Sequence, residues 1–405
     1  DLCHHNLQGL AIELSLGALN LVSGVSGAGK TSLLDAVEQR LRGPAGSPFH
    51  RIVRVDADPI GRTPRSNPAT YSGAFDLVRD LFAATEEARR RGFGKGQFTF
   101  NTAGGRCEAC EGAGVIEVGM RYLGSVEQAC ERCGGRRFHE EVLAVAYRGR
   151  SIADVLEGSL AEAAELFADQ PRLRRILDPL VAVGLGYLAM GQPATTLSGG
   201  EAQRVKLAAE LAKVGQGPAL LLLDEPSSGL HAHDVGVLLG VFERLLDAGH
   251  TLLVADHDRQ LLRRADRILD LGPGGGPEGG RLLVAGTAED LAACPHSATG
   301  AALRPAPPPA AAPAPATEEP AIELRGVRTH NLQGFDLALP AHGLTVVSGP
   351  SGSGKSSLVF DTWLAEARAR VADLVSPWAR RLLPRTGAAD LASASGLQVT
   401  IAVAP

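Results

Sequence analysis

Two short runs set the hydrophobic pattern of this chain. Leu220 to Leu223 and Thr251 to Ala255 are almost wholly apolar and have strand length. Runs of that kind mark strands buried on both faces of a parallel sheet. Leu10 to Ser23 alternates and then runs apolar into a glycine-rich loop, so it reads as strands feeding that loop, with a helix over Thr31 to Leu41 behind it. Helical spacing fills the gaps between the later strands. From 44 to about 150 the rhythm breaks into Gly, Arg and Cys, the mark of an insertion, and over 151–295 the α/β rhythm returns. Residues 296–321 read as a linker, because Pro305 to Pro320 is almost wholly Pro and Ala, with one acidic pair, Glu318-Glu319. Such a composition builds no core and favours extended, semi-rigid conformers. After it, Ile322 to Ser348 repeats the opening strand pattern, so 322–405 reads as the start of a second α/β domain. Its last stretch, roughly 385 to 405, has no clear assignment.

Composition narrows the class. A chain of 405 residues, 44% hydrophobic and 21% charged, is long enough for two domains with packed cores. No run approaches the roughly 18 apolar residues of a membrane span, so no membrane partner is expected, and no secretory signal opens the chain. The chain begins with Asp rather than Met and stops inside its second domain, which reads as a fragment of a longer protein. A net charge of −5 carries no global signal for nucleic acid. DNA contact must therefore come from a local basic face. Six cysteines, four of them in two tight pairs, point to metal rather than disulfides and to the cytoplasm.

A phosphate-binding pattern occurs twice. Gly24-Val25-Ser26-Gly27-Ala28-Gly29-Lys30-Thr31 and Gly349-Pro350-Ser351-Gly352-Ser353-Gly354-Lys355-Ser356 both fit G-x-x-x-x-G-K-[ST]. His5-Asn6-Leu7-Gln8-Gly9 repeats as His330-Asn331-Leu332-Gln333-Gly334 at the same offset, 325. Glycines in such a loop let backbone N–H groups turn inward around phosphate oxygens, and the following helix adds its positive end. Lys30 and Lys355 are placed for the β- and γ-phosphates, and Thr31 and Ser356 for Mg²⁺; Ser32 and Ser357 complete the two sets. The bland alternative is a Gly-rich turn. Leu220-Leu221-Leu222-Leu223-Asp224-Glu225 is an apolar strand ending in two carboxylates. Asp224 suits Mg²⁺ and Glu225 suits polarising an attacking water, the division of labour of phosphoryl transfer. Its bland alternative is an acidic turn.

Cys107-Glu108-Ala109-Cys110 and Cys130-Glu131-Arg132-Cys133 form two C-x₂-C pairs with 19 residues between them. Four thiolates at this spacing suit a closed, structural Zn²⁺ site. An iron–sulfur site and unbound thiols are the alternatives. Cys3 and Cys294 read as ordinary buried thiols. Arg89, Arg90, Arg91, Lys95 and Arg106, with Arg79 nearby and Phe93, Phe98 and Phe100 interleaved, form the local basic signal for DNA phosphates. A solvated charged helix competes with that reading, since Glu86 and Glu87 precede the arginines.

Leu197-Ser198-Gly199-Gly200-Glu201-Ala202-Gln203 resembles the signature loop of ABC-type ATPases, and it precedes Asp224-Glu225 in the order those proteins use. The resemblance implies that Ser198, Gly199 and Gly200 face the γ-phosphate held by another module. It also likens His257 to the switch histidine and Ser228-Gly229-Leu230-His231 to the loop that crosses the dimer interface. A zinc hairpin between the glycine loop and the signature loop resembles the UvrA family. Pro59-Ile60-Gly61-Arg62-Thr63-Pro64-Arg65-Ser66-Asn67-Pro68-Ala69-Thr70-Tyr71, Gly104 to Cys110 and Gly191 to Ser198 look like its sequence. Residues 1 to about 295 resemble its C-terminal ATPase half, and residues 322–405 the start of its N-terminal half.

The fold so implied is α/β: an ABC-type P-loop ATPase domain (1–43 and 151–295) with a zinc-hairpin insertion (44–150), a Pro/Ala linker, and the start of a second such domain. The implied activity is ATP hydrolysis that controls the grip on damaged double-stranded DNA in nucleotide excision repair. Damage would be read through altered DNA shape. A homodimer and handover to a UvrB-like protein belong to the same expectation, with no nuclease centre of its own. Rivals are a self-resistance protein removing DNA-bound drugs, the ATPase subunit of a transporter, and a DNA-binding scaffold with weak turnover. The inverted order of the halves fits a gene fusion or a circular permutation. Two departures stand out. The family usually has Gln where this chain reads Ala57, which puts normal hydrolysis in doubt. The second domain carries no signature loop and no Asp-Glu strand within these residues, though Lys355 would still suit head-to-tail pairing with the Ser198 loop.

Overall fold

The computed structural model describes residues 2, 4–42, 47–120, 124–213, 217–305, 322–340, 343–350, 352–374 and 389–403. The Pro/Ala linker and Cys3 lie outside them. The chain divides into two compact units, one made of residues 1–115 and 129–308, the other of 116–128 and 309–405.

Strands are numbered in chain order. The first unit opens with β1 (Leu19–Gly24) and β2 (Arg51–Val55). Next come the hairpin strands β3 (Val115–Met120) and β4 (Gly124–Ala129), then a short ribbon, β5 (Ala146–Tyr147) and β6 (Arg150–Ser151). The first unit then continues with β7 (Ala219–Asp224), β8 (Thr251–Ala255), β9 (Arg267–Gly272) and β10 (Arg281–Gly286). Its sheet runs β10-β9-β1-β8-β7-β2, and every pairing is parallel except β10 on β9.

Strand residues alternate between the two faces of this sheet. Leu21, Leu221, Leu223, Leu252, Val254 and Ile268 enter one core. Val22, Leu220, Leu222, Leu253, Leu269 and Leu271 enter the other, beneath Leu33, Leu34 and Val37 of the helix Lys30–Arg42. The two apolar runs are thus the buried parallel strands that their composition predicts. Each fully buried Leu contributes about 1.5–3 kcal/mol relative to exposure.

Regular pairing in the Leu10 to Ser23 stretch begins only at Leu19; Leu10 makes an isolated antiparallel bridge to Leu2. The reason is a side chain. Buried Asn20 accepts from the Ser15 N–H (2.8 Å) and donates to the Ser15 carbonyl (2.9 Å). Ser15 therefore needs no partner strand there. The excursion expected from residue 44 also begins later, because Arg51–Val55 pairs with Ala219–Leu223 at the edge of the sheet.

Beyond β2 the chain packs helices Ala74–Ala83, Pro171–Leu180 and Gly199–Leu211 around an aromatic core. Phe98 and Phe100 are fully buried in it, and Phe100 stacks on Phe75 at 4.9 Å between centroids. Of the aromatics interleaved with the basic run, Phe98 and Phe100 are thus core residues that present no rings for base stacking, and Phe93 is half-buried against that core.

In the second unit β11 (Ile322–Val327) lies between β12 (Phe335–Leu339) and β13 (Ser393–Ser395), all antiparallel. Residues 344–349 copy the β1 pattern but form no strand, and Leu344 and Val346 are 92% and 75% exposed. β1 is a strand because β8 and β9 flank it. No strand flanks 344–349 among the described residues, so the repeated pattern has no ladder to join.

Candidate nucleotide site and cysteine cluster

β1 delivers the chain into the first glycine loop. Gly24, Gly27 and Gly29 have φ of 141°, 75° and 102°. A Cβ on Gly24 would stand 2.3 Å from the Leu271 carbonyl oxygen, so no other residue fits there. Lys30 curls back over the loop, donating to the carbonyls of Gly24 (3.1 Å) and Val25 (3.3 Å). Lys355 makes the same contacts, with Gly349 (2.8 Å) and Pro350 (2.7 Å). Gly349, Gly352 and Gly354 again have positive φ. Ser357 begins the helical segment Ser357–Leu364 directly after Ser356.

The repeated His-Asn-Leu-Gln-Gly segment has a role that its sequence alone left open. Asn6 donates to the Gly27 carbonyl (3.0 Å), and Asn331 donates to the Gly352 carbonyl (2.7 Å). Each Asn holds a loop carbonyl through its side-chain amide. The repeat at one offset was the signal available for this role.

Asp224 closes β7 half-buried. Burial pushes that carboxyl above its ordinary value; the Thr31 hydroxyl and the Arg54 guanidinium, 3.4 Å away, pull against it. Glu225 follows, exposed and left-handed at φ 45°, with its N–H on the Ala255 carbonyl at 2.8 Å. A non-glycine residue held there costs about 1–3 kcal/mol, and such strain concentrates at functional sites.

His257 is exposed just past β8. Its backbone N–H donates to Asp256 at 2.7 Å. Asp256, fully buried, also accepts the Ser227 hydroxyl (2.7 Å), the Ser227 N–H (2.9 Å) and the Asp258 N–H (3.0 Å). One carboxylate thereby ties the loop after Asp224-Glu225 to the histidine. Nothing in the sequence separates this Asp from any other acid after a strand.

Ser198 caps the helix Gly199–Leu211 in a reciprocal capping box with Glu201. Ser198 and Gly199 are exposed. Behind them Gln203 donates to the Asp224 carbonyl at 2.7 Å, so the signature helix is bonded to the β7 carboxylate strand. A Cβ on Gly199 would meet the Cβ of Ala57 at 3.1 Å. The departure from the family's Gln thus sits directly against the signature glycine. Beside it, burial works to raise the Asp56 carboxyl, but the bond from Lys206 of the signature helix overrides burial and holds it low.

Cys107, Cys110, Cys130 and Cys133 are all buried, and their sulfurs lie within 4.8 Å of one another. Cys110 and Cys133 sulfurs are 3.8 Å apart. Tetrahedral Zn²⁺ with bonds of about 2.3 Å separates its sulfurs by about 3.8 Å, and a disulfide needs about 2.05 Å. The donor set therefore fits zinc. Without metal, burial pushes the Cys133 thiol up to about 12 and also raises Cys110. Cys294 is half-buried, less enclosed than its sequence suggests.

The basic candidates are largely engaged. Arg90 and Arg91 pair with Glu87, Lys95 with Asp80 (2.9 Å), Arg106 with Glu108 (3.3 Å) and Arg79 with Asp76 (2.8 Å). Arg89 is exposed.

A glycine loop on β1, an Asp-Glu pair closing a neighbouring parallel strand, and a capped signature helix bonded to it define an ABC-type nucleotide-binding module. No family model matches the chain. It is 47% identical over 317 residues to UvrABC system protein A of Lactiplantibacillus plantarum, covering 74% of this chain and 33% of that protein. The protein of the same name from Staphylococcus aureus is 46% identical over 316 residues, with the same coverage. The crystal structure of UvrA2 from Deinococcus radiodurans superposes with a TM-score of 0.71 at 46% identity, over 75% of this chain and 38% of that one. Over about three quarters of its length the chain is similar to UvrA proteins. It spans about a third of the length of the curated relatives it matches.

Proposed function

We propose that this chain is the nucleotide-driven core of a UvrA-type protein that grips duplex DNA and recognises damage in it. The observation that carries this is the closed cluster of four buried thiols, which falls along the chain between the glycine loop and the signature helix. Glycine-loop N–H groups and Lys30 would hold the ATP phosphates, and Thr31 and Asp224 the Mg²⁺, which neutralises developing charge when bound. Glu225 would orient and polarise the attacking water, and His257 would act at the γ-phosphate. Ser198, Gly199 and Gly200 would close on a phosphate held by another module, head to tail. Cys107, Cys110, Cys130 and Cys133 would hold zinc, which would brace the hairpin base when bound. Arg89, Arg90, Arg91, Lys95 and Arg106 reach DNA phosphates once their surface ion pairs, each worth about 0–1 kcal/mol, exchange partners.

A homodimer, handover to a UvrB-like protein and a cytoplasmic location follow from the same reading. No helix among the described residues is long and apolar enough to cross a membrane. The full-length gene product should hydrolyse ATP, with turnover that changes when duplex DNA is added. Lys30→Ala should abolish nucleotide binding at the first site. Unchanged binding in that variant would defeat the assignment.

A further inference from the structure

Arg137 stands four residues beyond the last cysteine, with one guanidinium nitrogen left over from its contacts. Its carbonyl accepts the Cys107 N–H at 2.8 Å, which joins the two cysteine pairs. Its backbone is left-handed at φ 71°, strain that persists only where surroundings enforce it. Its guanidinium lies over the Phe100 ring at 5.3 Å, and Nη2 donates to the Gly191 carbonyl at 3.1 Å. Nη1 is buried with no hydrogen-bond partner. A buried, unpaired guanidinium nitrogen costs several kcal/mol unless an anion faces it. The Cys110 sulfur lies close by: it accepts the Gly114 N–H at 3.3 Å, and a Cβ on Gly114 would stand 3.4 Å from Arg137 Nε. Glu157 lines a cavity with Arg137. Four thiolates on one Zn²⁺ leave a net charge of about −2, which the Gly114 N–H on the Cys110 sulfur offsets only in part. Each explains the other.

We propose that Arg137 is a positioning residue for the zinc centre: its guanidinium neutralises the zinc–thiolate charge and ties the centre to Gly191, at the start of the segment that leads to Ser198. The proposal rests on the zinc reading. It adds a physical connection from the hairpin base to the signature loop within one unit of the fold.

The test is zinc transfer from the full-length gene product to a colorimetric chelator, after zinc content is measured in each preparation. Arg137→Gln should release zinc about 10- to 100-fold faster, the usual loss when an outer partner of a metal site is removed. Arg137→Lys keeps the charge without the fork; it should release zinc within a few-fold of wild type, yet show faster amide hydrogen exchange over 191–197. Glu157→Gln should leave zinc release unchanged. Equal release from wild type and Arg137→Gln would overturn the proposal while leaving the zinc reading intact. Should Arg137→Gln not fold, Arg137→Lys decides alone: release accelerated tenfold or more, or unchanged exchange over 191–197, overturns it. A wild-type protein without zinc sinks both readings.

Discussion

Replacing Asp256 by Asn tests the carboxylate that organises the catalytic loops. One Asp256 oxygen accepts the Ser227 hydroxyl and the N–H groups of His257 and Asp258; the other accepts the Ser227 N–H. An amide replaces only one of these oxygens. Set to keep the three-donor side, it turns its NH₂ against the Ser227 N–H. The loss is one charge-assisted bond, about 1.5–3 kcal/mol, plus an unpaired buried donor, about 1–3 kcal/mol. Burying one charge fewer returns part of this, so the net cost is about 2–4 kcal/mol. Urea unfolding of the first unit is the assay. With a slope of about 3 kcal/mol per molar for a large domain, the midpoint should fall by about 1 M at unchanged slope. ATP turnover should fall further than nucleotide affinity, because the tether is on His257 and not on the glycine loop. A midpoint within about 0.2 M of wild type would refute the reasoning that these four contacts carry the loop.

Other expectations follow from the same geometry. Asn6→Ala removes the side-chain support of the Gly27 carbonyl and should weaken nucleotide binding at the first site about 3- to 10-fold, the worth of one to two neutral hydrogen bonds; a titration with a fluorescent ATP analogue would read it, with Asn331→Ala as the counterpart at the second loop. Glu225→Gly should raise stability by about 1 kcal/mol by relieving the left-handed backbone, while single-turnover hydrolysis stops and nucleotide still binds. His250 is buried, and its Nδ1 accepts the Ala219 N–H at 3.1 Å. Burial lowers its pKa below the ordinary 6.5, so the unfolded chain takes up the proton first as pH falls. Stability should therefore be complete above about pH 7 and decline below 6.5, and His250→Gln should flatten that slope in thermal unfolding scans.

Much of the fold was legible because its signals are local. The apolar runs before Asp224 and Asp256 needed no tertiary information to be recognised as buried strands. Both glycine loops and both cysteine pairs were equally plain, since their chemistry dictates residue type and spacing. What escaped depended on partners. Leu344 to Gly349 carries the pattern of β1, but a pattern makes a strand only where neighbours complete the ladder. Phe98 and Phe100 sit among basic residues in sequence and in the core in space, and composition does not distinguish those settings. Asp256, Arg137 and Asn6 act through backbone groups far along the chain, so their roles appear only when the fold brings Ser227, Gly191 and Gly27 to them.

The measurement that tests the central proposal most directly is fluorescence anisotropy of a labelled duplex, with and without a bulky lesion, against the full-length gene product in ATP, in ADP and without nucleotide. The account predicts tighter binding to the lesion-bearing duplex, with a preference that changes with the nucleotide. Equal binding to both duplexes in all three states would contradict it.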